Sequence, residues 1–141
     1  MYRISAEQII EADLDEVWAV VTDVAAWPSW DPHELDARLD GPFAAGTTGW
    51  SKPHGGPATT WTITDVVVRG RWSSECGLPG GKLRGTTVFT ELAGGRVRCA
   101  KVVEVTGPLV PLFRLHFGRG IRRDMVRTFV ALERRARRVA A

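Results

Sequence analysis

No apolar run in the sequence approaches the ~20 residues that a membrane-spanning helix needs. The first residues, MYRISAEQIIEADLDEVW, lack the basic stretch and apolar block of a secretory signal, so a cytoplasmic protein is expected. Cysteine is scarce. Cys76 and Cys99 stand far apart, without His or Cys at ligand spacing, so no metal site is expected and both are expected as reduced thiols. Several enzyme signatures are missing as well. GLPGGK at 77–82 lacks Walker spacing, and neither a G-x-S-x-G elbow nor an H-E-x-x-H pair occurs. Asp and Glu fall mostly on the outward phase of strands, so no carboxylate pair for glycoside chemistry is evident. No cofactor is implied.

What is present reads as one ordinary globular domain over 1–141. Apolar residues make up 44% and charged residues 25% of 141 residues. A chain of this length buries roughly 70% of its unfolded surface on folding. The net charge of +3 is uneven, with eight arginines between Arg119 and Arg138. No aromatics interleave them on the exposed side, as a single-strand binder needs, so no nucleic-acid partner is expected. A solvated helix face is the simpler reading, and a surface for an acidic partner the alternative. Arginine also outnumbers lysine sixteen to three across the whole chain.

Hydrophobic periodicity orders the elements. Tyr2, Ile4, Ala6, Gln8 and Ile10 form one phase of a half-buried strand. Asp13 and Glu16 have capping-box spacing before a helix carrying Leu14, Val17, Trp18 and Val21. A further turn over Val24 to Trp27 is expected to end at Pro28. Leu35, Ala37 and Leu39 alternate in the next strand, with His33 in their phase. Five strands follow from Thr47 to Thr106, broken at 53–57, 68–71, 77–81 and 93–95. Such short breaks imply an antiparallel meander. From Leu109 to Arg138 a stripe of Leu112, Phe113, His116, Phe117, Ile121, Met125, Phe129 and Leu132 predicts one long helix, interrupted by Gly118 and Gly120.

This order is similar to that of the START-like, or SRPBCC, superfamily, and most similar to its polyketide cyclase/dehydrase and lipid-transport proteins. The resemblance is carried by DEVWAVVTDVAAWPSWDPH (15–33), GPFAAGT (41–47), FTELAGGRVRCAKVVEVTGPL (89–109) and FVALERRA (129–136). It implies an α+β helix-grip fold: a curved seven-stranded antiparallel sheet around a long C-terminal helix, with two short helices after strand 1. It further implies binding of an apolar small molecule, an aromatic polyketide or a lipid-like metabolite. A monomer or homodimer is expected. The alternatives are an enzyme of the cyclase/dehydrase type and an interaction protein using the arginine face. No shared catalytic motif is transferred by the resemblance.

The segment WPSWDPHE (27–34) places two indoles on a helix-breaking turn and follows them with an acid and an imidazole. Trp27 and Trp30 are expected to close one end of the groove between sheet and helix, either as core packing or, for Trp30, as pocket wall. Asp31 is expected to make an Asx turn before Pro32. The inward phases of strands and helix predict a pocket lined by Trp30, His33, Trp50, Trp61, Trp72, Phe89, Phe113 and His116. His33 and His116 are the candidates for proton transfer, since imidazole titrates near neutrality.

Overall fold

Alternating burial builds the first strand, β1 (Tyr2–Glu11), in which Ile4 and Ile10 are buried and Ile9 faces out. In this computed structural model, which describes residues 1–117 and 120–140, helix α1 (Leu14–Thr22) follows and buries Leu14, Val17, Val20 and Val21. The Asp13 carbonyl accepts the Val17 amide at 2.9 Å, but its carboxylate makes no cap. The expected capping box is therefore not formed, and the buried face of α1 holds it in place. A 3-10 turn, Val24–Ser29, runs through Pro28 rather than stopping before it. It closes because the amides of Trp30 and Asp31 both reach the Trp27 carbonyl, at 3.1 and 2.8 Å.

Six more strands follow: β2 (Glu34–Leu39), β3 (Thr48–Pro53), β4 (Thr59–Val67), β5 (Arg71–Leu78), β6 (Gly81–Leu92) and β7 (Arg96–Thr106). All pairings are antiparallel, in the order β1-β7-β6-β5-β4-β3-β2. β2 to β7 are a meander, and β1 closes beside β7. Two strands consecutive in sequence thus stand at opposite edges of the sheet, joined through α1 and the 3-10 turn.

The C-terminal segment is two helices, α2 (Val110–Phe117) and α3 (Ile121–Ala140), where one was expected. The expected interruption at Gly118, with Arg119 and the Phe117 side chain, lies outside the described residues. With 20 residues, α3 is about 30 Å long. It buries Met125, Phe129, Leu132 and Ala136 against the sheet and α1. On one flank Arg122 Nε donates to the Ser5 carbonyl at 3.2 Å, and the Glu11 amide donates to Glu133 Oε2 at 2.6 Å. On the other flank His33 Nε2 lies 3.0 Å from the Asp124 carbonyl. One helix therefore touches β1 and the residue before β2, which requires the sheet to curl around it.

The predicted apolar stripe holds over α3 and fails over α2. Leu112 and Leu115 are 47% and 80% exposed, and His116 is exposed. The reason is that α2 is a separate short element. Only its side toward Ile4, Val103 and Val105 is covered, by Val110 and Phe113. Among the described residues, no helix is long and apolar enough to cross a membrane, and no cluster of His, Cys, Asp or Glu is arranged to hold a metal ion.

Candidate functional site

The tryptophans of the turn and the sheet meet. Trp27 stacks on Trp61 with ring centroids 5.8 Å apart and planes 16° from parallel, and Trp72 lies 5.9 Å from Trp27 and 6.1 Å from Trp61. Each anchored indole has a polar partner: Trp27 Nε1 donates to the Val21 carbonyl at 3.0 Å and Trp61 Nε1 to Ser51 Oγ at 3.2 Å. Gly49, opposite Trp61 on β3, is required here, because a methyl group at that position would overlap the Trp61 ring. Between this wall, Phe89 of β6 and the Phe129 and Leu132 side chains of α3 lies a pocket of about 320 Å³.

One side of the pocket is polar. Asp31 forms the expected Asx turn, its Oδ1 accepting the His33 amide at 2.9 Å, and the same oxygen lies 3.4 Å from the Thr128 hydroxyl of α3. A bulge then changes the phase of β2: the pairing with β3 shifts between Glu34 and Asp36. Leu35 turns outward, 54% exposed, and Glu34 turns into the pocket. Among the described residues, Glu34 Oε2 is buried with no hydrogen-bond partner. Burial, reinforced by the Asp31 charge, pushes the Glu34 carboxyl from 4.5 to about 7, against the opposing pull of Lys101 and His33. Ionising that oxygen without a partner is costly, so the neutral acid is favoured.

Lys101 faces the same space. It occupies the inward phase of β7 with Val97, Cys99, Val103 and Val105, all buried. It stands in one row with Thr87 of β6 and Trp72 of β5, and all three line the pocket. Burial lowers its pKa, while the charges of Asp31 and Glu34 hold it up. Among the described residues it has no hydrogen bond or ion pair at contact distance. The other two lysines are committed: Lys52 Nζ donates to the Pro53 and Gly56 carbonyls, and Lys82 pairs with Glu75 at 3.6 Å.

Of the residues expected at the site, Trp30, Trp61, Trp72 and Phe89 line the pocket. Four do not. Trp50 points to the convex face under the Arg38 guanidinium, 5.1 Å from its ring, because the period of two turns Gly49 and Ser51 inward. His33 is held by the Asp124 carbonyl between β2 and α3. Phe113 packs in the cluster at the far end of the sheet, and His116 is exposed on α2. Sequence reasoning left Glu34 and Lys101 unassigned. Lys101 carried a readable signal, a cation in the apolar phase of VRCAKVVEV. For Glu34 the strand period gave the opposite face, and only the bulge reverses it. Arg127, Arg134, Arg135 and Arg138 line a second groove of about 450 Å³ with Trp30 and Pro32 on another flank of α3.

Residues 1–137 match the model of a family described as polyketide cyclase / dehydrase and lipid transport. Among solved structures, the Zhui aromatase/cyclase from Streptomyces sp. R1128 superposes with a TM-score of 0.79 at 15% identity, covering 99% of this chain and 96% of that one. A START superfamily protein from Mycobacterium smegmatis gives 0.74 at 14% identity, covering 99% of both chains. The di-domain ARO/CYC BexL from the BE-7585A biosynthetic pathway gives 0.73 at 16% identity, and this chain spans 50% of it. At such identities the likeness is one of fold, a curled half-barrel around a C-terminal helix. No curated protein shows significant similarity to the chain.

Proposed function

The chain belongs to the polyketide cyclase/dehydrase and lipid transport family, and from that premise we propose that it binds a hydrophobic small molecule, an aromatic polyketide or a lipid-like metabolite, between sheet and α3. The observation that carries this reading is the pocket of about 320 Å³ walled by Trp27, Trp61, Trp72 and Phe89. Stacked indoles offer a rigid apolar surface at low entropic cost, which suits a flat or extended apolar ligand. Pocket residues come from six strands, both short helical segments and α3, so a ligand there would touch most of the fold.

A second reading, an enzyme of the cyclase/dehydrase type, is favoured by the unpartnered acid of Glu34 in the same pocket. A carboxyl titrating near neutrality is suited to giving and taking a proton. His116 is exposed and His33 is engaged with Asp124, so neither supports the proton-transfer role first expected of them.

Titration of the protein with flat aromatic alcohols and with fatty acids, read by tryptophan emission, tests the binding reading. Saturable quenching by one class, weakened roughly tenfold by Trp72→Ala, is expected when a stacked ring loses its platform. Native mass spectrometry should find the same class retained on the purified protein. Absence of saturable binding to either class overturns the reading.

A further inference from the structure

The polar side of the pocket contains a cation that the fold does not use. Lys101 interrupts an otherwise apolar phase of β7, lines the pocket, and makes no hydrogen bond or ion pair at contact distance among the described residues. Buried polar groups in folded proteins are nearly always partnered, so the buried Glu34 Oε2, which has no hydrogen-bond partner among the described residues, needs an explanation, and the half-buried Lys101 lines the same pocket. Lys101 and Glu34 act on each other's charge across the pocket but form no ion pair at contact distance.

We propose that Lys101 is an imine-forming lysine: its amine condenses with the aldehyde or ketone carbonyl of an apolar ligand held against the tryptophan wall, with Glu34 as the proton donor. This rests on the ligand-binding reading above and specifies the chemistry of that same pocket. The Lys101 nitrogen, as free amine, attacks the carbonyl carbon; the C–N bond forms as the C=O π bond breaks, and the oxygen takes up the first proton released by the nitrogen. The resulting carbinolamine loses its hydroxyl as water when the Glu34 carboxyl gives that oxygen a proton. The C=N bond forms, and nitrogen returns the second proton to the Glu34 carboxylate. Both protons of the amine leave in the water, and no oxidant or reductant is consumed.

Three features of the site suit this step. Burial lowers the Lys101 pKa, against the charges of Asp31 and Glu34, which raises the share of the neutral amine that attacks. Burial and Asp31 favour the neutral acid of Glu34, the form that donates. The row of Lys101, Thr87 and Trp72 across three strands sets the amine on the same inward face as an aromatic platform, which would align an aryl carbonyl for attack.

The chain has only three lysines, which makes the test clean. The protein is incubated with 2-naphthaldehyde and sodium cyanoborohydride, which reduces an imine to a stable amine, and adducts are mapped by peptide mass. The non-carbonyl analogue 2-naphthalenemethanol, followed by tryptophan quenching, reports pocket occupancy independently. The expected result is an adduct on Lys101 roughly tenfold in excess over Lys52 and Lys82. Lys101→Met should lose that adduct, with circular dichroism showing the fold of the parent. Glu34→Gln should slow trapping roughly a hundredfold. Adducts spread over Lys52, Lys82 and the N-terminus, with the alcohol still bound, overturn the imine and leave the binding reading standing. Failure of the alcohol to bind overturns both. Unchanged trapping in Glu34→Gln removes Glu34 from the step. Mapping of the unsubstituted protein decides the central point even if a variant fails to fold.

Discussion

Glu34→Gln should stabilise the protein at alkaline pH and leave it unchanged in acid. The carboxyl titrates at about 7 when folded and at 4.5 when unburied, because burial and Asp31 disfavour its charged form. Below pH 4.5 it is protonated in both states and imposes no penalty. As pH rises from 4.5 to about 7, the unfolded chain releases this proton while the native state holds it, so stability falls; above about 7 the penalty is complete. At 1.36 kcal/mol per pH unit the interval corresponds to at most about 3.4 kcal/mol. Solvent reaches part of the side chain and screens it, which brings the expected effect to about 1.5 kcal/mol. Glutamine keeps the shape and never ionises. Urea unfolding followed by tryptophan emission should show parent and variant equal near about pH 4.5, and the variant more stable by about 1.5 kcal/mol, or about 5 °C in Tm, near about pH 8. A variant less stable at alkaline pH would mean that Glu34 is held by a stabilising ion pair with Lys101, and would refute the placement of an unpartnered acid. A gain of equal size at both pH values would refute the titration argument.

Gly49→Ala should destabilise by about 1–3 kcal/mol, because the added methyl overlaps the Trp61 ring; a neutral result in a chemical melt would contradict the packing of that wall. Phe113→Ala should lower stability by about 3 kcal/mol yet leave apolar-ligand affinity unchanged, since Phe113 packs with Ile4, Val103 and Val105 and does not line the pocket; a comparable loss in both measurements would move the site toward α2. Thiol titration of the denatured, unreduced protein should find two free groups, because β6 separates the strands of Cys76 and Cys99; in the native state Cys99 should be inert, its pKa pushed up to about 12 by burial and Glu133. Replacing Arg134, Arg135, Arg137 and Arg138 by Gln should change stability by less than about 1 kcal/mol, the only ion pair involved among the described residues being the exposed one of Arg137 with Glu11 at 3.4 Å; a larger loss in urea melts would show that the arginine face is structural.

Element order, the antiparallel meander and the apolar stripe of α3 were all legible in the sequence. Each follows from a period that the chain itself repeats: two along β1 and β7, three to four from Met125 to Leu132. Turn residues at 53–57, 68–71, 77–81 and 93–95 separated the strands because Gly and Pro meet backbone demands that are local. The Asx turn at Asp31 was legible for the same reason, since donor and acceptor lie two residues apart.

Where tertiary contacts set the outcome, the local period was a poor guide. The β2 bulge against β3 turns Glu34 into the pocket and Leu35 out of it, reversing the side that alternation assigns to each. Trp50 and Trp61 look alike in sequence, and only the register that puts Gly49 beneath Trp61 sends one ring in and the other out. His116 lay on a continuous apolar pattern, yet α2 forms apart from α3 and leaves it exposed. By itself the sequence determined the order of strands and helical segments, because local periods depend on neighbours a few residues away, and its motifs marked the family. Only the tertiary structure decided that Asp31, Glu34 and Lys101, brought together from a turn, a bulged edge strand and the inner face of β7, share one pocket, because mutual burial and charge act between residues about seventy positions apart that local periodicity cannot relate.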